Sequence, residues 1–385
     1  MILYILIFLI ILLLYFYNEK NGNPQSSLQL GIVITILALF VGLSDMLGGY
    51  DRYIYGELFD EIADIRKDDG SILFSSLFLT YYSEIGYCLW NVIISYITAN
   101  RYIFIFITTL FVYFLIFQAI KSYTTNYIFA LIIFMGLMFF FTFTYLRQII
   151  AALLVWQSIK YILNRKLLKF IGIVMLAASF HNSAIIFFPL YFIPLKRLDN
   201  KYIIPLMALF FIIGVSGLPS NLFEIYGQTV NEIRGTEYAE DSSGTGFRFA
   251  YLFEAIFFIT FIKILYDKIP NTNGANLMLN CALIFCAILL IFIKSENGGR
   301  LSWFFTLGII STFTRFSSSF YFTQRNLIIL TCTFLFFRIL ISWGEGGYQI
   351  LYPYKTFLTN GVREVDKCHA KFEYDHLYDD NKFYR

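Results

Sequence analysis

The chain has 385 residues, of which 58% are hydrophobic and 20% aromatic, and its mean hydropathy is +0.66. This apolar content exceeds that of soluble globular domains and indicates a protein that lies in a membrane. The formal net charge of +3 is too small to indicate a nucleic acid or another polyanionic partner. The cysteines number five, which is odd, and most lie in apolar surroundings, so they do not form the pattern of a disulfide framework.

Continuous apolar runs predict transmembrane α-helices, because a transmembrane β-barrel has shorter segments in which apolar and polar residues alternate. The first run lacks the basic start and the cleavage site of a signal peptide, so it is predicted as a helix. The fold class is therefore an all-α polytopic integral membrane protein with about twelve transmembrane helices. Residues 1–343 are expected to form a single transmembrane domain, and residues 344–385 a polar C-terminal tail. The predicted spans are Met1–Tyr17, Leu28–Leu43, Tyr102–Ile120, Tyr127–Leu146, Ile149–Leu163, two arms around His181, Tyr202–Gly217, Arg248–Tyr266, Asn276–Ile293, Leu301–Phe316 and Asn326–Trp343.

Two long segments, 44–100 and 218–247, separate predicted spans and carry many of the acidic residues. The first contains DRYIYGELFDEIADI, whose apolar residues recur at helical spacing beside a row of acids. This pattern predicts an amphipathic helix that either lies on the membrane surface or covers a cavity. Residues 72–80 and 84–97 are too short to span a bilayer and are predicted to be re-entrant or interfacial. The second long segment contains the run DSSGTGF and is predicted to be a loop.

Arg147 and His181 interrupt long apolar runs, and ionisable residues at membrane depth indicate a functional site. Residues 170–195 permit either one span with His181 at its middle or a hairpin of two short helices that bends at His-Asn-Ser. Basic clusters lie on both sides of this segment, and because short basic loops favour the cytoplasm, a hairpin is predicted. Each arm then has about 11 to 14 residues, or roughly 17 to 21 Å. Arg147 and His181 are therefore expected near the outer side, in a cavity that opens outward, and the same charge rule places both termini outside.

Several basic residues are expected at or near the outer ends of helices. A guanidinium pairs bidentately with phosphate, so a set that converges on one cavity would bind a diphosphate without a metal. For each residue alone, the alternative is an interfacial position with the charge turned towards water. The candidates are Arg147, Arg248, Arg300 and Arg338, and Lys294 lies close to Arg300 in the sequence. Gln148, beside Arg147, is either a substrate-binding or a helix-packing residue.

His181 is a candidate general base because imidazole titrates near neutral pH, and the alternative is a structural histidine that is hydrogen-bonded at a bend. Asp51 and Glu84 are the other candidate bases. The sequence has no Asp-x-Asp motif for a metal-bound sugar nucleotide and no phosphate-binding loop. The two histidines and the cysteine of the tail lack a zinc spacing, so neither a metal nor a cofactor is expected.

The block RQIIAALLVWQSIKYILNRKLLKFIGIVMLAASFHNSAIIFFPLYF begins at Arg147. It resembles the central signature of the EpsG-like family of Wzy-type bacterial polysaccharide polymerases. The shared features are Arg-Gln at the start of a helix, a basic turn, Phe-His-x-Ser-Ala and a helix that contains a proline. The resemblance extends from about Leu30 to Tyr354.

Three further positions carry the same resemblance. Asp51 and Tyr55 resemble an Asp-Tyr-x-x-Tyr motif that follows the second helix, although Arg52 replaces its first tyrosine. The sequence Glu84-x-Gly-Tyr87 resembles a short motif that comes after it. Arg300 lies where the family has an arginine at the start of a late helix.

The resemblance implies a metal-independent, GT-C-like membrane glycosyltransferase of O-antigen, capsule or exopolysaccharide synthesis. Such an enzyme transfers a growing glycan from undecaprenyl diphosphate to the non-reducing end of an undecaprenyl-diphosphate-linked repeat unit. The reaction takes place at the periplasmic face of the bacterial inner membrane, and a chain-length regulator is a possible partner. Arg147 and Arg300 are then expected to bind the donor diphosphate, and His181 is expected to assist activation of the acceptor. Tyr55 and Tyr87 are expected to contact substrate.

Two other functions use buried charges in a membrane protein. A flippase or transporter of lipid-linked oligosaccharides should have a continuous path through both sides, whereas the charges here are predicted to gather on the outer side. A glycan ligase or acyltransferase of the same envelope pathway would share the cavity but transfer its group to another acceptor. A ladder of polymer lengths distinguishes the polymerase from both.

Overall fold

The computed structural model describes residues 1–23, 25–216, 218–219, 246–315, 321–344 and 349–385. Over these residues the secondary structure is helical, with one isolated β-bridge and no β-strand. The helices of the first half are α1 (Ile2–Asn21), α2 (Ser27–Gly42), α3 (Tyr50–Lys67), α4 (Ser76–Thr80), α5 (Ile85–Ser95), α6 (Arg101–Tyr123), α7 (Tyr127–Leu137), α8 (Leu146–Leu163), α9 (Leu167–Phe180) and α10 (Asn200–Val215). Those of the second half are α11 (Phe249–Leu265), α12 (Asn273–Ile291), α13 (Glu296–Gly299), α14 (Thr306–Arg315), α15 (Phe322–Gly344), α16 (Lys367–Phe372) and α17 (Leu377–Asp380). Tighter 3-10 segments cover Ile72–Phe74, Phe139–Phe143, Asn182–Tyr191, Tyr266–Lys268 and Arg300–Phe305.

Membrane-spanning character is carried by the longest helices. Among the described residues, six helices are long and apolar enough to cross a bilayer, and other apolar helices are shorter. The six are Ile2–Asn21, Arg101–Tyr123, Leu146–Leu163, Phe249–Lys268, Asn273–Ile291 and Phe322–Gly344. The predicted class, an all-α polytopic membrane protein, is confirmed. The predicted loop 218–247 lies almost wholly outside the described residues.

The chain divides into two compact units. The first comprises residues 1–158, 171–185 and 320–385. Its centre is α7, which packs against α1 and α15. Every residue of α7 after Tyr127 is buried, as expected for a helix that is apolar on all sides. Helices α2 and α6 form a second packed pair, and α3 packs on α5 and α6.

One end of the first unit is built from α3 and the C-terminal segment. The α3 helix occupies Tyr50–Lys67, so the predicted amphipathic helix is confirmed. The described residues 349–385 also contact α1 and α2: the Tyr4 hydroxyl donates to the Leu351 carbonyl at 2.9 Å. The ring of Tyr354 stacks on Phe40 with centroids 4.4 Å apart. The tail is therefore docked on the helices along much of its length.

The second unit comprises residues 159–170 and 186–319. Its central helix is α12, which packs against α10, α11 and α14. Nearly all of α12 is buried, and it carries Asn276 and Asn280 among its apolar residues. Both side chains donate to backbone carbonyls, at Leu195 and at Lys196, each at 3.0 Å. Buried amides inside an apolar unit are stable only when they are paired in this way.

The structure changes one predicted boundary in a way that matters for function. The prediction joined Tyr127 to Leu146 in one helix, but α7 ends at Leu137 and a 3-10 segment, Phe139–Phe143, follows. Aromatic side chains lose rotamer freedom in a helix, which weakens helix propagation through the run FFFTF. At this break, a Cβ on Gly48, which has φ +114°, would lie 2.3 Å from the Phe143 carbonyl oxygen. Helix α8 therefore begins at Leu146, three residues before its predicted start at Ile149, and Arg147 lies in its first turn.

The predicted hairpin around His181 is confirmed. Helix α9 ends at Phe180 and a ten-residue 3-10 segment, Asn182–Tyr191, returns. In the second unit, the ring of Phe170, near the start of the outgoing arm, lies 5.2 Å from that of Tyr191, at the end of the returning arm. The guanidinium of Arg165 donates to the Tyr191 carbonyl at 2.9 Å. The bases of the two arms therefore lie together, and His181 is at the tip.

Candidate functional site

Three tyrosine rings surround the guanidinium of Arg147 in the first unit. The guanidinium carbon lies 4.0 Å from the ring centroid of Tyr81, 5.6 Å from that of Tyr55 and 5.7 Å from that of Tyr87. Each ring presents a negative π-face to the cation, and such contacts contribute from about 0.5–1 kcal/mol at exposed sites to about 2 kcal/mol when they are desolvated. The arginine at the start of α8 is therefore held in one place from three sides.

Glu84 supplies the carboxylate of this site. One of its oxygens forms an ion pair with Arg147, and the other accepts a hydrogen bond from the backbone N–H of Asn182 at 3.4 Å. Asn182 directly follows His181, and its side chain donates to the hydroxyl of Ser83 at 2.8 Å. The side chain of Glu84 is 1% exposed, whereas that of Arg147 is 12% exposed. Glu84 thus joins the start of α8 to the tip of the hairpin.

Tyr55, on α3, supports the same arginine through its hydroxyl group. The Nε–H of Arg147 donates to the Tyr55 hydroxyl oxygen at 3.3 Å. Burial raises the pKa of the Tyr55 phenol well above its usual range, and the nearby Arg147 charge opposes this only in part. The phenol therefore stays protonated, so it accepts from Arg147 and keeps a proton to donate.

Helix packing explains the glycine of the Glu-x-Gly-Tyr sequence that begins at Glu84. A Cβ on Gly86 would lie 2.1 Å from the Oγ of Ser179, so α5 and α9 approach as closely as they do only because this residue is glycine. Next to it, the ring of Tyr87 packs edge-on against Tyr55 and Tyr81, with centroids 5.7 and 5.8 Å away. The motif therefore positions one carboxylate and one aromatic ring around the arginine.

His181 is oriented by its neighbour Ser183. The backbone N–H of Ser183 donates to His181 Nδ1 at 3.4 Å, and the Ser183 hydroxyl lies 2.6 Å from the same nitrogen. Because Nδ1 is the acceptor, a neutral imidazole carries its proton on Nε2. The ring is half-buried at the tip of the hairpin.

Asp51 and Arg52 have different surroundings. Arg52 is fully buried and donates to the carbonyls of Val41, Ser44 and Leu47 at 2.8 to 3.3 Å, which satisfies the C-terminal end of α2. The arginine that replaces the motif tyrosine is thus a structural residue. Asp51 is half-buried, and its negative charge is close enough to Tyr55 to favour the protonated phenol.

The other predicted residues are distributed over the two units. Gln148 is buried next to Arg147, and Arg338 lies near the end of α15, both in the first unit. Arg248 and Arg300 belong to the second unit. There the backbone N–H of Arg248 donates to the Ile293 carbonyl at 2.9 Å, next to Lys294 in sequence.

Sequence reasoning missed two residues that the structure draws attention to. Tyr81 has the shortest of the three cation–π distances to Arg147, and its place in TYYSEIGY gave no sign of this contact. Glu254 is buried within α11, at 7% exposure, on the same helical face as Tyr251, whose ring closely approaches Gly299. A signal for Glu254 was present, because it is the one acid inside the apolar run from Arg248 to Tyr266.

These groups together can bind an anion and move a proton. The guanidinium of Arg147 is half-buried and oriented by tyrosine rings, and one carboxylate balances its charge. The Nε2–H of His181 and the Tyr55 hydroxyl add neutral donors. Such a set matches the needs of a reaction in which a phosphate-linked leaving group gains charge.

Comparison with known proteins identifies the family. The EpsG family profile matches residues 27–356, which is most of the chain. No curated protein and no solved structure shows a significant match.

Proposed function

Because this chain belongs to the EpsG family, we propose that it is a polysaccharide polymerase that transfers a glycan between undecaprenyl-diphosphate-linked substrates. The donor is the growing glycan on its lipid diphosphate, and the acceptor is the non-reducing sugar of a new repeat unit. The family supports polysaccharide polymerisation as the class of function. The multi-pass fold, with six helices that are long and apolar enough for a bilayer among the described residues, suits lipid-linked substrates.

The Arg147–Glu84 pair is the observation that carries this proposal. Arg147 contacts three tyrosine rings, and among the described residues Glu84 is the one carboxylate paired with it. A diphosphate can take the place of that carboxylate, because a planar carboxylate and a tetrahedral phosphate each present two anionic oxygens that can accept from the same guanidinium fork. The charge of Arg147 then stabilises the undecaprenyl diphosphate as it leaves, so no metal is needed for this role.

Substrate binding at Arg147 also frees Glu84. In the proposed step, the acceptor hydroxyl oxygen bonds to the anomeric carbon of the donor while the bond from that carbon to the diphosphate oxygen breaks. The hydroxyl proton passes to the Glu84 carboxylate, and both electrons of the broken bond leave with the diphosphate. Glu84 is thus our choice among the three candidate bases.

His181 and Asp51 take other roles in this proposal. His181 has Nδ1 engaged by Ser183, so its Nε2–H donates to a substrate oxygen instead of taking a proton. Asp51, whose charge acts on Tyr55, is the alternative base. Tyr55 and Tyr87 form the wall of the substrate site. Gln148 and Arg338 are proposed as further contacts to substrate in the first unit, and the substrate-binding roles of Arg248 and Arg300, in the second unit, stay predictions.

We place the site at the periplasmic face of the inner membrane, in a GT-C-like cavity that opens outward. The support is the charge asymmetry of the predicted loops, in which basic residues gather on the opposite side. A protein that regulates chain length is the proposed partner, and no cofactor is part of the reaction.

The test is complementation of a deletion strain. Wild type, Arg147→Ala, Glu84→Gln and His181→Gln are produced at matched membrane levels, and the surface polysaccharide is separated on a gel. Arg66→Ala is the matched control, since Arg66 lies over a single tyrosine ring, Tyr96, at 5.2 Å and lies outside the proposed site. We expect a polymer ladder for wild type and Arg66→Ala, and single repeats for Arg147→Ala and Glu84→Gln.

The outcomes separate the competing functions. If the deletion strain lacks even the single repeat, the protein acts earlier, as a flippase would. If the deletion strain still makes a ladder but cannot attach it to its final acceptor, the protein is a ligase. A normal ladder from Arg147→Ala would remove the diphosphate role from this arginine. If His181→Gln loses the ladder while Glu84→Gln keeps a full ladder, His181 is the base and Glu84 is not.

A further inference from the structure

The C-terminal segment brings two histidines and an aspartate together away from the proposed site. His369 Nε2 lies 2.9 and 3.0 Å from the two carboxylate oxygens of Asp379. His376 Nδ1 lies 3.4 Å from one of the same oxygens. One ligand atom from each of the three residues lies within 4.8 Å of the others. Two imidazole nitrogens and a carboxylate oxygen thus converge on one point.

Local structure explains this convergence. His369 lies in α16, whose first turn is fixed because Asp366 accepts from the His369 backbone N–H at 2.9 Å. His376 and Asp379 are three residues apart at the short helix α17, where the backbone N–H of Asp379 donates to the His376 carbonyl at 2.9 Å. Residues at this spacing share one face. The α16 helix is itself docked on α3, with the rings of Phe372 and Tyr50 4.4 Å apart.

The donor set is typical of a zinc-type cation. Zinc bonds histidine nitrogen and carboxylate oxygen at about 2.0–2.2 Å in tetrahedral geometry, so neighbouring ligand atoms lie roughly 3.3–3.5 Å apart. The distances from Asp379 to the two histidines are already close to this value. Hard cations such as Mg²⁺ prefer oxygen ligands, so two imidazoles favour a borderline transition metal.

The charges around the three ligand residues are compatible with binding of a cation. Lys382 is a positive group near these residues, with Nζ 3.9 Å from an Asp379 oxygen. The same Nζ lies 3.6 Å from Asp45 and donates to the Tyr102 hydroxyl at 3.1 Å, so its charge is shared with a second carboxylate. Cys368 is directed elsewhere, since its sulfur lies 3.5 Å from the position of a Cβ at Gly49.

We propose that His369, His376 and Asp379 bind a divalent transition-metal cation of the zinc type, with a water molecule in the fourth position. The bound ion joins α16 to α17 and so fixes the fold of the C-terminal segment on α3. This structural site is separate from the proposed polymerase chemistry and does not depend on it.

Metal binding to the full-length protein tests the proposal. The protein is purified in detergent, treated with a chelator and titrated with Zn²⁺ in competition with a chromophoric chelator. We expect one tight zinc ion per chain, and at least ~10-fold weaker binding in each of His369→Gln, His376→Gln and Asp379→Asn. Cys368→Ser is the matched control in the same helix and should bind zinc as wild type does. Co²⁺ in place of zinc should give the visible absorption of a four-coordinate site in wild type and lose it in the three variants.

Protease protection of the wild-type tail gives a readout that needs no variant. Added Zn²⁺ should slow cleavage within residues 363–385, and chelation should reverse the effect. The proposal fails if wild type binds no zinc tightly, if the three variants bind it as well as wild type does, or if zinc leaves the cleavage rate unchanged. In those cases the two histidines merely share Asp379 through hydrogen bonds.

Discussion

Two arginines of the first unit, the half-buried Arg147 and the buried Arg101, have similar positions and different partners. Each lies in the first turn of a long apolar helix, and each contacts tyrosine. Arg101 is 4% exposed and is paired with two carboxylates, Asp60 at 2.6 Å and Glu373 at 3.0 Å. Arg147 is 12% exposed, and among the described residues it is paired with one, Glu84.

The difference separates a structural charge from a charge that can act on a ligand. Arg101 joins α3, the start of α6 and the C-terminal segment, and both of its carboxylates would be left buried without it. Arg147 contacts more tyrosine rings and fewer carboxylates than Arg101 does, so binding of an anion is more favourable at Arg147. The proposed difference in role therefore rests on the number of carboxylates and tyrosine rings around each arginine.

The largest expected effect is on folding, from Arg101→Ala. The change removes the nearest cation from both buried carboxylates and leaves Asp60 with the more distant Arg385, at 3.8 Å. Breaking a buried pair in this way costs about 3–5 kcal/mol. The buried free cysteines, among them Cys281, Cys286 and Cys332, allow unfolding in detergent to be followed with a thiol-reactive dye. We expect a clear fall in Tm for Arg101→Ala and little change for the control Arg66→Ala. Adding Asp60→Asn and Glu373→Gln should restore part of the loss, and an unchanged Tm in Arg101→Ala would show that the network is not structural.

The next effect is on activity, from Arg147→Lys. Lysine keeps the charge opposite Glu84 but loses the bidentate fork and the stacking on Tyr81. We expect polymer formation to fall about 100-fold, as when a preorganised donor is removed from a reacting centre. The measurement is polymer made per unit of membrane protein, with Tm alongside.

The same substitution at Arg101 sharpens the comparison. Arg101→Lys should lower Tm more than Arg147→Lys does, because one ammonium group cannot reach both carboxylates with the geometry of the fork. The interpretation is wrong if Arg147→Lys lowers Tm more than Arg101→Lys while polymer per folded molecule stays the same.

A smaller effect is expected from Gly86→Ala. The added methyl group meets Ser179 at 2.1 Å, and overpacking of this kind costs about 1–3 kcal/mol. Separation of α5 from α9 should also displace Glu84 and Tyr87, so polymer formation should fall together with Tm. Gly172→Ala is the matched control, because it lies in α9 with no heavy atom within 4 Å of its new methyl group. The double variant Gly86→Ala with Ser179→Gly should recover part of both losses, and no recovery would contradict this packing argument.

The smallest effect concerns pH and the C-terminal segment. Burial acts to raise the pKa of Asp375, but hydrogen bonds from Tyr384 and Arg385 and the charge of Arg101 outweigh it, so its pKa is lowered from the usual 3.8. A carboxyl whose folded-state pKa is depressed stabilises the fold above its unfolded pKa, and this contribution is lost as pH falls through the folded value. We therefore expect the tail to lose protease protection below about pH 4.

Asp375→Asn checks this pH dependence. The variant should have weaker protection at neutral pH and a smaller further loss on acidification, measured by proteolysis with an acid-stable protease. Equal acid sensitivity of wild type and Asp375→Asn would exclude Asp375 as the titrating group.

The sequence predicted those features that depend on local pattern. Apolar runs predicted a polytopic helical membrane protein, and the spacing of apolar residues in α3 predicted its amphipathic character. Basic clusters on both sides of His181 predicted a hairpin, since charge near short loops reports the side of the membrane. Arg147, Glu84, Tyr55 and Tyr87 were selected by motif, and the structure places all four together.

Tertiary structure decided which of these residues meet and what else joins them. Glu84 and Arg147 are 63 residues apart, and no periodicity in the sequence pairs them. Tyr81 became part of the site through packing, and the tail, predicted as polar, contributes Glu373 to Arg101 across 272 residues. Hydropathy and helical period describe neighbours within a few turns, whereas pairing of buried charges depends on which helices pack together. The membrane class therefore follows from composition alone, and the surroundings of each buried charge follow only from the folded chain.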